Sequence, residues 1–133
     1  MTTLSVKEPV VSTNAEIATF LGLLFSYNNS LKLFHWHVTG VSSYAKHIAL
    51  DQAITNLLDA TERLVETSYA LRGDLDIIIP ITTRPDNIVK CTEEFYKTVE
   101  SNRKLFPELF TQSIIDDYQE TIQQLLYRLR RLQ

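Results

Sequence analysis

Apolar residues recur along this chain every three or four positions, which is the period of an α-helix that buries one face. The first such series is followed by Gly40 and the second by Gly73, and glycine commonly follows a helix end. We therefore expect helix A to begin at Thr13 or Asn14, either of which can cap it, and helix B to cover residues 44–72. The helix A series comprises Ile17, Phe20, Leu21, Leu24, Tyr27, Leu31, Phe34 and Val38.

Residues 74–85 break this pattern, because they are rich in β-branched side chains and contain Pro80 and Pro85. Such a composition favours an extended segment. Twelve extended residues reach about 40 Å, enough to follow a helix of some twenty residues from end to end. The segment can therefore be a crossover that joins parallel helices B and C, and a simple up-down bundle is the alternative.

Two further helical series follow the extended segment. Helix C is expected from about Asp86 to a point before Pro107, and helix D from about Thr111 to the end. Residues 1–11 are expected to form a flexible leader. The predicted fold class is thus all-α, with one four-helix bundle domain over residues 12–133.

Composition agrees with this class, since the chain has 133 residues, 44% hydrophobic content and only three glycines. The sequence lacks an apolar run of membrane-spanning length and a basic region followed by an apolar one at its start, so neither membrane insertion nor secretion is expected. A single cysteine, Cys91, cannot form an internal disulfide, which favours a cytoplasmic location. The net charge of −3 and a leader with one Lys7 and one Glu8 do not favour DNA binding.

All three histidines lie in residues 35–47, and carboxylates follow them on helix B. At about 100° per residue, four side chains share a stripe about 100° wide along that helix: His47, Asp51, Glu62 and Glu66. An imidazole together with carboxylates is a ligand set suited to iron, manganese or zinc. The stripe is therefore a candidate metal site.

The four side chains of the stripe are too far apart along the helix axis to bind one ion. Asp51 and Glu62 are some 16 Å apart along the axis, so they cannot hold the same ion. If two copies of helix B pack antiparallel about a two-fold axis near residues 56–57, the His47 and Asp51 pair of one lies opposite the Glu62 and Glu66 pair of the other. This predicts two equivalent metal sites in a two-fold dimer.

The remaining histidines can be placed by similar arithmetic. If helix A reverses into helix B at about residue 41, His35 and His47 are equidistant from the turn and lie side by side. His37 follows His35 by about 200° around the axis and should point away. Asp59 lies just outside the stripe and is the alternative ligand to Glu62.

Three adjacent segments, His35-Trp36-x-Val38-x-Gly40, His47-x-x-x-Asp51 and Glu62-Arg63-x-x-Glu66, resemble the ferroxidase signature of the Dps family, the mini-ferritins of the ferritin-like superfamily. The family commonly has Asp where this chain has Glu62. The resemblance implies that one subunit supplies three ligands and its two-fold partner supplies two. The implied metal ligands are His35, His47, Asp51, Glu62 and Glu66. It also implies a role as electron donor for Trp36, for which a core aromatic residue is the alternative. Tyr44 is a candidate for assisting Trp36.

The function implied by the resemblance is a ferroxidase that protects against oxidative damage. Fe(II) would bind at a mono-iron or di-iron inter-subunit site, with zinc or manganese as substitutes. Hydrogen peroxide, or more slowly oxygen, would oxidise it, and a dodecameric cage would store the Fe(III). An acidic group on helix D can line an iron-entry pore or simply face solvent: Asp116, Asp117 and Glu120.

An intra-bundle di-iron site is disfavoured, because no histidine has a glutamate three positions before it, as the Glu-x-x-His motif of such sites requires. A hypothesis of another class is a structural or cargo protein that keeps the ferritin-like bundle with little or no ferroxidase turnover.

Overall fold

The structure, a computed structural model, describes the backbone of residues 4–132 and the side chains of residues 13–132. Within that range it contains four α-helices and no strand, which confirms the all-α class and the four-helix bundle. No helix in the described part of the chain combines the length and apolarity that a membrane span needs. The helices are α1 (Leu4–His35), α2 (Ser43–Arg72), α3 (Ile88–Asn102) and α4 (Leu109–Arg131), with a 3-10 turn at Arg103–Leu105.

Helix α1 begins at Leu4, so the predicted start at Thr13 or Asn14 is wrong and the expected leader is helical from residue 4 onward. Thr13 and Asn14 can cap a helix, but the helical backbone runs through both of them. Residues 1–3 of the expected leader lie outside the described residues.

The other helix ends follow local chemistry. At the end of α2, Gly73 has a φ of 83°, which suits glycine, and its amide donates to the carbonyl of Tyr69 at 2.9 Å. Helix α3 is capped by Asn87, whose side chain accepts a hydrogen bond from the amide of Lys90 at 3.0 Å. Capping thus fixes α3 two residues later than the sequence pattern predicts.

The core lies between the four helices. Helix α1 packs against α2 and α3, and α4 packs against the same two helices. Aromatic contacts reinforce this arrangement, since the ring centroids of Phe20 and Phe106 are 5.7 Å apart and Tyr27 stacks on Phe95 at 4.3 Å. The fully buried aliphatic side chains are Ile17, Leu21, Leu24, Leu31, Leu50, Leu57, Val99, Ile115, Ile122 and Leu125.

Residues 73–87 form the predicted extended crossover, without helix or strand. The crossover leaves α2 beside Tyr69, whose hydroxyl donates to the carbonyl of Leu75 at 2.7 Å. It then follows α1, where the hydroxyl oxygens of Ser26 and Thr82 are 2.7 Å apart. The crossover therefore passes along part of α1.

The crossover joins two helices that run in the same direction. At the end of α2, Arg72 donates to the carbonyl of Leu105 at 3.5 Å and lies 3.8 Å from Glu108, beyond the end of α3. At the opposite end of the bundle, Lys46 of α2 and Ile88 of α3 line one cavity near the starts of their helices. The crossover therefore spans the length of the bundle.

Two buried tyrosines in the core differ in their hydrogen bonding, which gives a matched pair for measurement. The hydroxyl of Tyr27 bonds to that of Thr92 at 2.7 Å, whereas the Tyr118 hydroxyl has no partner among the described residues. Burial raises the pKa of both phenols. We expect Tyr27→Phe to lower the free energy of unfolding by about 1 kcal/mol, because it leaves the Thr92 hydroxyl buried and unpaired.

Tyr118→Phe should leave the free energy of unfolding unchanged or raise it, because it removes a buried hydroxyl that lacks a partner. Urea unfolding followed by circular dichroism measures both variants. Equal losses in the two would contradict this assignment of hydrogen bonds.

Candidate metal site

Two histidines meet where α1 ends and α2 begins. His35 is the last residue of α1 and is only 4% exposed, and His47 lies in the first turns of α2. Their rings stack with centroids 4.4 Å apart and planes inclined by 22°. The adjacency predicted from the position of the turn is thus confirmed, while the role of the two rings as ligands stays a prediction.

Backbone carbonyls fix the tautomer of both rings. The Nδ1 atom of His35 lies 2.7 Å from the carbonyl oxygen of Lys32, and the Nδ1 atom of His47 lies 3.1 Å from that of His35. A carbonyl can only accept, so each neutral ring carries its proton on Nδ1 and a lone pair on Nε2. Histidines that bind metals through Nε2 are held in this way.

Asp51 lies beside His35. Its Oδ1 atom is 3.6 Å from Nε2 of His35, and its side chain is 60% exposed. Because the neutral His35 ring carries its proton on Nδ1, its Nε2 atom and the Asp51 oxygen are both acceptors, and no hydrogen bond joins them. Two ligands about 2.1 Å from one ion are roughly 3.0–3.5 Å apart, so a cation between these atoms would fit with a small adjustment.

The second acidic pair lies elsewhere on α2. Glu62 and Glu66 are both exposed, and neither has an ion pair or hydrogen bond with another described residue. Glu62 follows Asp51 by eleven positions, which is about 16 Å of helix. Across residues 13–132, no group of three or more His, Cys, Asp or Glu side chains is close enough to hold an ion. Within one chain, therefore, neither the three predicted ligands near the α1–α2 turn nor the two glutamates form a complete ion site.

The structure also shows the environment of the other residues named in the predictions. Trp36 is 62% exposed with its ring centroid 5.2 Å from that of His35, so the core alternative is wrong and the electron-donor role stays a prediction. His37 accepts a hydrogen bond from Arg84 of the crossover at 3.0 Å. Tyr44 is 78% exposed, and Asp59 is exposed on α2. The carbonyls that orient the imidazoles were not predicted, because main-chain acceptors have no residue-type signal.

Two of the three acidic side chains on α4 pair with arginines of the same chain. Asp116 pairs with Arg103 at 2.7 Å and Asp117 with Arg63 at 3.2 Å, while Glu120 is exposed. Exposed pairs of this kind contribute little to stability, but they reduce the negative charge that a cation would meet. They favour the solvent-facing alternative over a pore.

Comparison with known protein families gives a match over most of the chain. A family described as "Family of unknown function (DUF5856)" matches residues 35–129, which is more than two thirds of the chain. The matched range contains all five predicted ligands. No curated protein and no solved structure matches the chain. The chain belongs to the DUF5856 family.

Proposed function

We propose that this member of the DUF5856 family is a ferroxidase of the mini-ferritin type, with a ferritin-like topology. It would take Fe(II) as its substrate between two copies of the chain, oxidise it with hydrogen peroxide and store Fe(III) inside a cytoplasmic cage of twelve subunits. The observation that carries this proposal is the geometry of the two imidazoles. Their Nδ1 atoms are hydrogen-bonded to backbone carbonyls, and the Nε2 atom of His35 is 3.6 Å from the Asp51 carboxylate.

The donor set suits this chemistry. Neutral imidazoles and carboxylates bind iron, and the negative carboxylates stabilise the additional positive charge of Fe(III). In the reaction, two Fe(II) ions each lose one electron, and one hydrogen peroxide takes both electrons and two protons to give two water molecules. The chain would hold the substrate iron through His35, His47 and Asp51 of one subunit and through Glu62 and Glu66 of its partner. Zinc or manganese would occupy the same ligands as substitutes.

The position of the crossover supports the proposed dimer. Ser26 lies nine residues before His35, and Asn56 lies nine residues after His47, so the two are level in the α1–α2 hairpin. Ser26 contacts Thr82 of the crossover. This part of the crossover is therefore level with the two-fold axis that the ligand spacing predicts near residues 56–57.

Exposed apolar side chains cluster at that level. Ile81 is 98% exposed and Ile78 is 76% exposed, on either side of Pro80. A residue next to a two-fold axis contacts the same residue of the partner subunit. Dimer formation can therefore bury Ile78 and Ile81. Tyr44 and Ile48, on the stripe side of α2, are also exposed and would be covered by the same partner.

Oxidation of Fe(II) by substoichiometric hydrogen peroxide under anaerobic conditions tests the proposal, with Fe(III) followed by absorbance. We expect fast oxidation by the native chain. In a His47→Ala/Asp51→Ala variant we expect a rate at least about tenfold lower, because two ligands are lost from one half-site. The matched control is His37→Ala/Asp86→Ala, which removes a histidine and an aspartate outside the site and should oxidise Fe(II) at the native rate.

Slow oxidation at equal rates in the native chain and both variants would refute the ferroxidase proposal. That result would favour the structural or cargo bundle.

A further inference from the structure

A cavity of about 220 Å³ lies at the end of the bundle where the α1–α2 loop meets α3 and α4. Its walls are apolar, and its polar side chains are a cation, a hydroxyl and an imidazole. None of the five candidate iron ligands lines it. The apolar walls are formed by Phe34, Val38, Ile88, Val89 and Leu129, and the polar groups belong to His37, Thr39 and Lys46.

The residues that line the cavity include one cation, Lys46, and no carboxylate. Neither Lys46 nor Arg84, which holds His37, forms an ion pair with a described carboxylate, and no Asp or Glu lines the cavity. The Nε2 atom of His37 accepts from Arg84 at 3.0 Å, so the neutral ring carries its proton on Nδ1 and can donate it. Thr39 adds a hydroxyl. The polar groups can thus donate several hydrogen bonds to an anion.

We propose that this cavity binds a small carboxylate with a short apolar chain. The carboxylate would accept hydrogen bonds from Lys46 and Thr39, and the chain would lie against Phe34, Val89 and Leu129. A charged hydrogen bond selects the anion, and the apolar walls exclude a purely polar one such as inorganic phosphate. At about 30 Å³ per water molecule, the volume corresponds to roughly seven waters, which suits a ligand of six to eight heavy atoms.

Hexanoate is a suitable probe, because it combines one carboxylate with five further carbons. Titration of the full chain, followed by NMR shifts of the Val38, Val89 and Leu129 methyl groups, should give a dissociation constant on the order of 1 mM. Hexanol and hexylamine should bind about tenfold more weakly, because neither offers an anion to the polar side of the cavity. Inorganic phosphate should leave these methyl shifts unchanged.

Two lysine variants locate the effect. Lys46→Gln should weaken hexanoate binding about tenfold and leave hexanol binding unchanged, because only the charged contact is removed. Lys104→Gln, at an exposed position in the 3-10 turn, is the matched control and should bind hexanoate normally. Circular dichroism verifies that each variant is folded.

The proposal is overturned if hexanol binds as tightly as hexanoate, if Lys46→Gln leaves hexanoate binding unchanged, or if the shifted methyl groups lie away from this cavity. Its outcome does not depend on iron oxidation, because the probe and the readout involve none of the iron ligands.

Discussion

Two inactive variants of this chain should restore ferroxidase activity to each other when they share a dimer. The first variant, His47→Ala/Asp51→Ala, lacks two of the three ligands in one half of each proposed site, and the second, Glu62→Gln/Glu66→Gln, lacks both ligands of the other half. Along one α2 helix the two halves are about 16 Å apart, so a complete site needs the first half from one subunit and the second half from the other. A mixed dimer would have one intact site and one doubly damaged site.

The measurement is Fe(II) oxidation by hydrogen peroxide after the two variants are unfolded together and refolded. If subunits combine at random, half of the dimers are mixed and each has one of two sites intact, so about a quarter of native activity is expected. Each variant refolded alone is the control and should remain inactive. Mixed dimers that are demonstrated by mass spectrometry but oxidise no iron would contradict an inter-subunit site.

Gly22→Ala should destabilise the protein by about 1–3 kcal/mol, although alanine is the better helix former. In an exposed helix interior the same change would stabilise by about 1 kcal/mol. Here an added Cβ would meet the carbonyl group of Ile78, where the crossover presses on α1. Because the obstacle is backbone and not the end of a flexible side chain, relief requires that the crossover move away from the helix.

Urea unfolding of the native chain and of Gly22→Ala measures this effect. Ala15→Gly, at an exposed position of the same helix, is the matched control for helix propensity and should lower the free energy of unfolding by about 1 kcal/mol. If Gly22→Ala instead raises the free energy by a similar amount, the crossover does not press on α1 at this position.

Local periodicity predicts much of the fold and part of the candidate site. The spacing of apolar residues predicts four helices, and the β-branched residues with Pro80 predict the extended segment, because each pattern reflects the geometry of its own backbone. The same geometry places His35 beside His47, since a short turn joins two regular helices. It failed at the start of α1, because Thr13 and Asn14 are residues that can cap a helix but the helix runs through both and begins at Leu4.

Other features depend on residues that are distant in the sequence. The carbonyl that orients His47 belongs to the preceding helix, and the exposure of Trp36 depends on what packs near the end of α1. The pairing of Asp117 with Arg63, the close contact of the crossover with Gly22 and the common direction of α2 and α3 are likewise decided by packing. The sequence by itself determined the helices and the spacing of the ligands, because these follow from one repeating backbone geometry. Only the tertiary structure decided which groups meet across the bundle, because that depends on how all four helices fill one core.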